Sequence, residues 1–465
     1  MSGGTLRVVV VGGGLSGLAA AHAVVREANR EGRAVRLVLL EAGQRLGGNV
    51  LTERHDGFVI EAGPDSFVVT RPHALALCEE LGLGPRLIET KPENRRVYVA
   101  RHGRLMPMPE GLVLGVPTRI RSFLRSPLLS MRGKLRALRE TTNTHVEANG
   151  GDISIGDFLE RRFGREMVDV ILEPLLGGIY AGDAFRLSLR STFPDWFSLS
   201  GRGASLLRAA RAERKTKKQA GPPPSPFRSL ISGMGELVDT LAERIGKGVI
   251  RFGAKVLRVE QVGSGFRVVL ADGDVEADRV IVALPARAAS AILAPCDGAL
   301  SHELAGIEYA STATVAFAYR RVQIAHPLDA AGFLVPKSEG KKITAGTFMS
   351  SKWPGRAPDG HALMRAFVGS AHDPGSASLP DDELVRTVRG ELEPLLGITG
   401  EPLFARVFRY IDASPQPLVG HFDRVAHIQT RLEGLRGLYV IGNAYEGVGI
   451  PDCVRLAEKA AAEIV

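Results

Sequence analysis

The sequence predicts an α/β protein, α+β over its whole length, and three observations at its start predict it. Leu6 to Val11 ends in four valines, as a central parallel strand buried on both faces requires. Gly12, Gly13, Gly14, Leu15, Ser16 and Gly17 follow at once and match G-x-G-x-x-G. A second apolar run, Val35 to Leu40, ends in the acid Glu41, roughly 20 residues past the glycines. Strand, glycine turn, helix, strand and acid in that order predict a Rossmann-like unit that binds a dinucleotide.

Each part has a physical task. Gly12 permits the tight turn, Gly14 lets backbone approach a pyrophosphate, and Gly17 lets the helix lie close to the sheet. The small-residue helix from Leu15 to about Asn29 points its N-terminal N–H groups at the phosphates. Glu41 accepts ribose hydroxyls and repels a 2′-phosphate. Ala42 and then Arg45, Leu46, Gly47, Gly48 and Asn49 bring a cation and bare backbone to the same place. Phe58 to Ile60 reads as a short strand leading into Glu61, Ala62, Gly63, Pro64, Asp65, Ser66 and Phe67, a turn suited to lie against a flat ligand.

The rest of the chain alternates between this unit and two excursions. Arg71 to Leu83 reads as a helix, and Arg95 to Val99 begins a strand that turns at His102 and Gly103. From Thr118 to Arg211 the spacing is helical and rich in Leu, Arg and Glu, with Ser154 as an N-cap and Asp157 at N3. Residues 214–226 are basic, then proline-rich, and read as an exposed loop. No aromatic residues interleave those charges, which argues against nucleic acid. A helix through Ile245, a meander from Lys255 and the buried strand Arg279 to Leu284 resume the nucleotide unit. Strand-like stretches at Gly332 to Pro336, Thr347 to Trp353 and Leu363 to Gly369 suit the wall of an apolar cavity. Leu438 to Gly442, then Val448, Gly449 and Ile450 before a last helix, supply a second anion-facing helix start.

Composition limits the class. Lys and Arg number 59 against 51 acids, a net charge of +8, which favours anionic partners. Cys78, Cys296 and Cys453 are scattered, which argues for a reducing compartment without disulfides or a zinc site. With a strand expected from residue 6 and no apolar run near ~20 residues, neither signal peptide nor transmembrane helix is expected.

These motifs carry a resemblance. Arg45 to Gly48, Glu61 to Phe67, Gly178 to Asp183, Gly332 to Pro336 and Gly447 to Cys453, with the first glycines, resemble the FAD-dependent, oxygen-using porphyrinogen oxidases of haem biosynthesis. Met106 to Gly111, Glu173 to Ile179 and Lys352 to Pro354 resemble the Gram-positive-type branch that acts on coproporphyrinogen III; the sibling branch oxidises protoporphyrinogen IX. The resemblance implies an amine-oxidase-like flavoprotein architecture. Residues 1–90, 228–298 and 403–465 would form a discontinuous FAD domain. Residues 91–108 and 299–402 would form a β-rich substrate domain, and 109–212 a helical domain that could face a membrane, with 213–227 a loop. It implies non-covalent FAD held by Gly12 to Gly17, Glu41, Ala42, Arg45, Gly48, Asn49, Gly63 to Ser66, Val256, Tyr410, Gly442 and Val448 to Ile450. Gly178, Phe333, Leu334 and Trp353 would meet the macrocycle. Where the sibling branch carries a propionate-binding arginine this chain has Val97, leaving Arg95 and Arg96 as candidates.

The implied reaction is six-electron oxidation of a porphyrinogen by hydride transfer to flavin N5, with O2 as final acceptor and H2O2 as product. It needs orientation more than an acid or base, and no residue is assigned proton transfer. The resemblance also implies a cytoplasmic protein, peripheral at most to the inner membrane face, monomeric or homodimeric, handing its product to ferrochelatase. A flavin amine oxidase and a carotenoid-type desaturase share the first motif and stand as alternatives.

Overall fold

The computed structural model describes residues 5–113, 115–142, 151–201, 203–216 and 224–465. The nucleotide unit is a five-stranded parallel sheet in the order Ile250–Arg251, Val35–Leu40, Leu6–Val11, Arg279–Val282, Leu438–Val440. Its strands come from three separated parts of the chain, so folding must bring residues hundreds of positions apart into register. The central strand is buried on both faces, as its valines predict. Val8 and Val10 join one core with helices Leu15–Glu31, Gly235–Ile245 and Ile450–Ile464. Val9 and Val11 join the opposite core with the meander Val256–Val262, Gly265–Leu270, Gly273–Ala277 and helices Ala286–Leu293, Gly298–Ala305 and His421–Glu433.

The second layer is a seven-stranded sheet, ordered Phe404–Pro415, Tyr309–Arg320, His361–Val368, Ile343–Thr347, Gly332–Leu334, Val97–Arg101, Arg104–Pro107. It is antiparallel except where Gly332–Leu334 runs parallel to Val97–Arg101. Two sequence expectations change here. Phe404–Pro415, assigned by position to the FAD unit, pairs instead with Tyr309–Arg320, because its register follows that long strand rather than the parallel sheet. The stretch Thr347 to Trp353 leaves the sheet in a helical turn, Met349–Lys352.

The helical unit packs around its own core. The capping at Ser154 is as predicted: its Oγ accepts the Asp157 N–H at 3.0 Å and donates to the Asp157 carboxylate at 2.6 Å, starting helix Ile155–Phe163. The expected loop 213–227 begins later than predicted, since helix Leu206–Thr216 runs into it and strand Phe227–Leu230 follows it; residues 217–223 lie outside the described residues. Among the described residues no helix is long and apolar enough to cross a membrane.

One buried ion pair ties this unit together. Arg162 and Glu140, both fully buried, meet at 2.9 Å. Glu140 also accepts the Leu206 and Leu207 N–H groups at 2.7 and 3.1 Å, capping the following helix. Arg162→Met strands a buried carboxylate and is expected to cost about 3 kcal/mol, read as a lower urea midpoint; an unchanged midpoint contradicts this role.

Candidate functional site

At the adenosine end the glycines divide their work. Gly12 has φ +106°, and a Cβ there would meet the Ala283 carbonyl at 2.7 Å. A Cβ on Gly17 would lie 1.9 Å from the Gly12 oxygen, so helix and turn are in backbone contact. Around Gly14 the nearest atom to such a Cβ is the Gly48 Cα at 4.0 Å. The protein therefore fills the space at Gly12 and Gly17 and leaves it open at Gly14, room that a pyrophosphate could use. Glu41 is preset by two backbone donors: Gly13 N–H to Oε2 and Gly43 N–H to Oε1, each at 2.7 Å. Both oxygens keep acceptor capacity for ribose hydroxyls. Ala254, two residues before Val256, donates its N–H to the Glu41 carbonyl at 2.9 Å, which places that strand beside the same end. Arg45 donates to the Leu46, Val50 and Gly48 carbonyls, bracing the glycine pair against Gly14.

The second helix start is built alike. Gly442 and Gly447 have φ +142° and +132°. Gly449 N–H donates to the Asp452 carboxylate at 3.3 Å, and Arg71 pairs with the other oxygen, fixing Val448–Ile450 at the helix entrance.

A cavity of about 540 Å³ opens where the three units meet. Its lining brings together Asn49, Gly63, Pro64, Asp65, Ser66, Tyr410 and Val448 on one side and Gly178, Phe333 and Leu334 on the other. Burial pushes the Tyr410 phenol up to about 12, so it stays a neutral hydroxyl.

Three predicted substrate contacts are corrected. Trp353 is fully buried behind the cavity, its indole N–H donating to Asp65 Oδ2 at 3.1 Å. Arg95 turns to Thr90 and Glu89, and Arg96 to Asp329 at 3.6 Å; neither lines the cavity, because both precede the strand on which Val97 points inward. Lys352, singled out only as part of a family motif, and Arg365, not singled out at all, do line it. The signal was present: an arginine inside the apolar strand His361–Val368 demands a buried partner.

That partner is the Gly-Pro turn. Arg365 donates to the Glu61 carbonyl at 2.8 Å and to the Gly63 carbonyl, and lies 3.7 Å from the Asp65 carboxylate. Lys352 donates to Asp65 Oδ2 at 2.8 Å and Ser66 to Oδ1 at 2.9 Å. Burial opposes ionisation of Asp65, but Lys352 and Arg365 outweigh it and hold the carboxyl well below the usual range. Beneath it Glu61 accepts from Met234 N–H and Thr52, beside fully buried Arg356; burial raises its pKa.

A family model for flavin-containing amine oxidoreductases matches residues 15–465. The chain belongs to the flavin-containing amine oxidoreductase family. It is an FAD-dependent oxidoreductase, as the glycine fingerprint with Arg45 to Gly48 led us to expect. It is 35% identical to the coproporphyrinogen III oxidase of Bacillus subtilis over 100% of this chain and 98% of that one. It is 29% identical to the chloroplastic protoporphyrinogen oxidase 1 of Arabidopsis thaliana, covering 99% and 88%. A solved structure from Exiguobacterium sp. 255-15 is similar over 99% of both chains, with a TM-score of 0.88 and 33% identity. The porphyrinogen oxidase resemblance read from the motifs is borne out by these relatives, and the amine-oxidase-like fold with it.

The Asp65 network has a pH signature. Its stabilisation is complete above the unfolded pKa near 4 and is lost as pH falls toward the depressed folded value. Asp65→Asn is expected to cost about 3–5 kcal/mol at pH 7, a gap that narrows below about pH 4. Denaturation of both proteins between pH 7 and 3 measures it, and a gap that widens in acid refutes it.

Proposed function

We propose that the protein oxidises a porphyrinogen to the porphyrin at this cavity, using O2, with coproporphyrinogen III preferred. The observation that carries this is the shape and lining of the cavity. Gly177 and Gly178 give one wall without side chains, and Phe333 and Leu334 face it; a Cβ on Gly178 would already stand 3.9 Å from Leu334. A flat, largely apolar macrocycle suits such a slot. Lys352 and Arg365 against the single carboxylate Asp65 leave an excess of positive charge, which suits a polycarboxylate and opposes an ammonium substrate. The coproporphyrinogen preference rests on the Bacillus relative being more similar than the chloroplast one.

Bound FAD supplies a two-electron acceptor that O2 restores with release of H2O2. Gly13, Gly43 and Glu41 would hold its ribose end, and Asn49, Gly63, Tyr410 and Val448 would border its ring. The chain's own work is orientation and exclusion of water. Asp65 is paired with two cations and Tyr410 keeps its phenolic proton, and neither is assigned a proton transfer. The substrate's aromatisation drives the reaction, and holding the ring in reach of the acceptor lowers the barrier. Three O2 are consumed and three H2O2 released per porphyrin. The reading carries with it a cytoplasmic, at most peripheral, protein ahead of a ferrochelatase.

Side-by-side kcat/KM values for the tetracarboxylate and dicarboxylate porphyrinogens test this. The expected result is a higher value for coproporphyrinogen III, three H2O2 per porphyrin, and no peroxide from putrescine or benzylamine. Peroxide from amines with both porphyrinogens inert overturns it.

A further inference from the structure

The two walls of the slot are tied together outside it by a knot of charged side chains. Helix Glu173–Tyr180 supplies Gly177 and Gly178, and strand Gly332–Leu334 supplies Phe333 and Leu334. Just past that strand, Lys337 pairs its ammonium with Glu173 Oε1 in the first turn of the helix. His372 Nε2 lies 3.7 Å from the same oxygen and 3.5 Å from Asp183 Oδ1, at the far end of the helix. Ala371 donates its N–H to the Ala181 carbonyl at 2.8 Å, so backbone joins the same parts. Glu173 lines a separate depression and not the slot itself.

Glu173, Asp183 and His372 bring their ligand atoms within 4.8 Å of one another, a spacing that a divalent cation would also suit. Lys337 already occupies the Glu173 carboxylate, so the positive partner of the group is the ammonium. The pair is also uneven: the Glu173 side chain is 9% exposed and that of Lys337 50%. A carboxylate so shielded depends on its partners.

The helix it starts is weak by itself. It continues without a break from helix Arg165–Met167 through a π-helical stretch, Val168–Leu172, whose residues Val168, Val170, Ile171 and Leu172 are buried in the core, so Glu173 stands where the pitch changes. Pro174 supplies no N–H, and each of Gly177 and Gly178 costs about 1 kcal/mol of helix propensity relative to alanine. The feature that leaves the wall bare also leaves it poorly held. Beyond the buried stretch before it and Leu176 in the core, ties from outside the helix help to fix where its glycine face stands.

We propose that Glu173 is a positioning residue for the substrate slot. Held by Lys337, with His372 alongside, it sets helix Glu173–Tyr180 so that the bare wall stands across from Phe333 and Leu334 at the width the substrate needs. It acts through Gly178, about 7.5 Å along the helix axis, and touches neither substrate nor cofactor. The identity of that substrate rests on the porphyrinogen reading; the anchoring of the helix does not.

The test uses the FAD-loaded full chain as wild type, Lys337→Gln, Glu173→Gln and the charge swap Glu173→Lys with Lys337→Glu. Amide hydrogen exchange over 173–181 is followed beside KM and kcat for coproporphyrinogen. In both single variants the expected outcome is about fivefold faster exchange confined to that helix. KM should rise by a similar factor with kcat nearly unchanged, and the swap should recover both in part. Unchanged exchange in Lys337→Gln overturns the proposal. So does acceleration spread over the whole chain, or a loosened helix with an unchanged KM. If wild type oxidises neither porphyrinogen, the functional reading fails and the exchange arm still decides whether Glu173 anchors the wall.

Discussion

A buried arginine holding backbone carbonyls is the constraint on which this architecture depends. The turn from Glu61 to Phe67 crosses from the nucleotide unit to the cavity, and its carbonyls face the interior. Arg365, reaching from the seven-stranded sheet, satisfies those of Glu61 and Gly63. Buried carbonyls left without donors are expensive, so sheet and turn must form together. The guanidinium then needs its own counter-charge, which Asp65 supplies, and Asp65 in turn draws in Lys352, Trp353 and Ser66. Through this chain of requirements the seven-stranded sheet is locked to the nucleotide unit. The cavity forms at the seam.

The same logic explains the discontinuous chain. The two glycine turns, after Val11 and after Val440, come from opposite ends of the sequence, yet both start helices that pack in one core. On the proposed reading their N-termini would serve one extended cofactor, the first at its pyrophosphate. The chain between them leaves that pairing intact. It contributes walls: the helical unit a surface of glycines, the sheet a surface of Phe333 and Leu334.

Much of this was legible in the residues, for physical reasons that can be named. Four consecutive valines and the glycine spacing report a local geometry set by neighbours in sequence, and so does the Ser154 cap. Gly178, which the family resemblance placed beside the substrate, and the stretch Gly332 to Pro336, expected as a cavity wall, do supply lining residues. What escaped depends on partners far along the chain. Trp353 looks like a ligand contact until Asp65 is seen to accept its N–H. Arg95 and Arg96 are one turn of backbone from the cavity, and only the start of the strand at Val97 decides that they face away. Phe404–Pro415 goes to the sheet because Tyr309–Arg320 offers it a long register. Arg365 was overlooked as part of an apolar strand, although its charge inside that strand was itself the clue.

The central claim is that this seam holds a porphyrinogen against FAD. Anaerobic titration of the FAD-loaded protein with coproporphyrinogen III examines it most directly. One porphyrinogen carries three electron pairs, so the flavin absorbance should be fully bleached at one third of an equivalent, with one porphyrin Soret band appearing per three flavins reduced. A flavin spectrum unchanged by excess coproporphyrinogen III and by excess protoporphyrinogen IX would contradict the account.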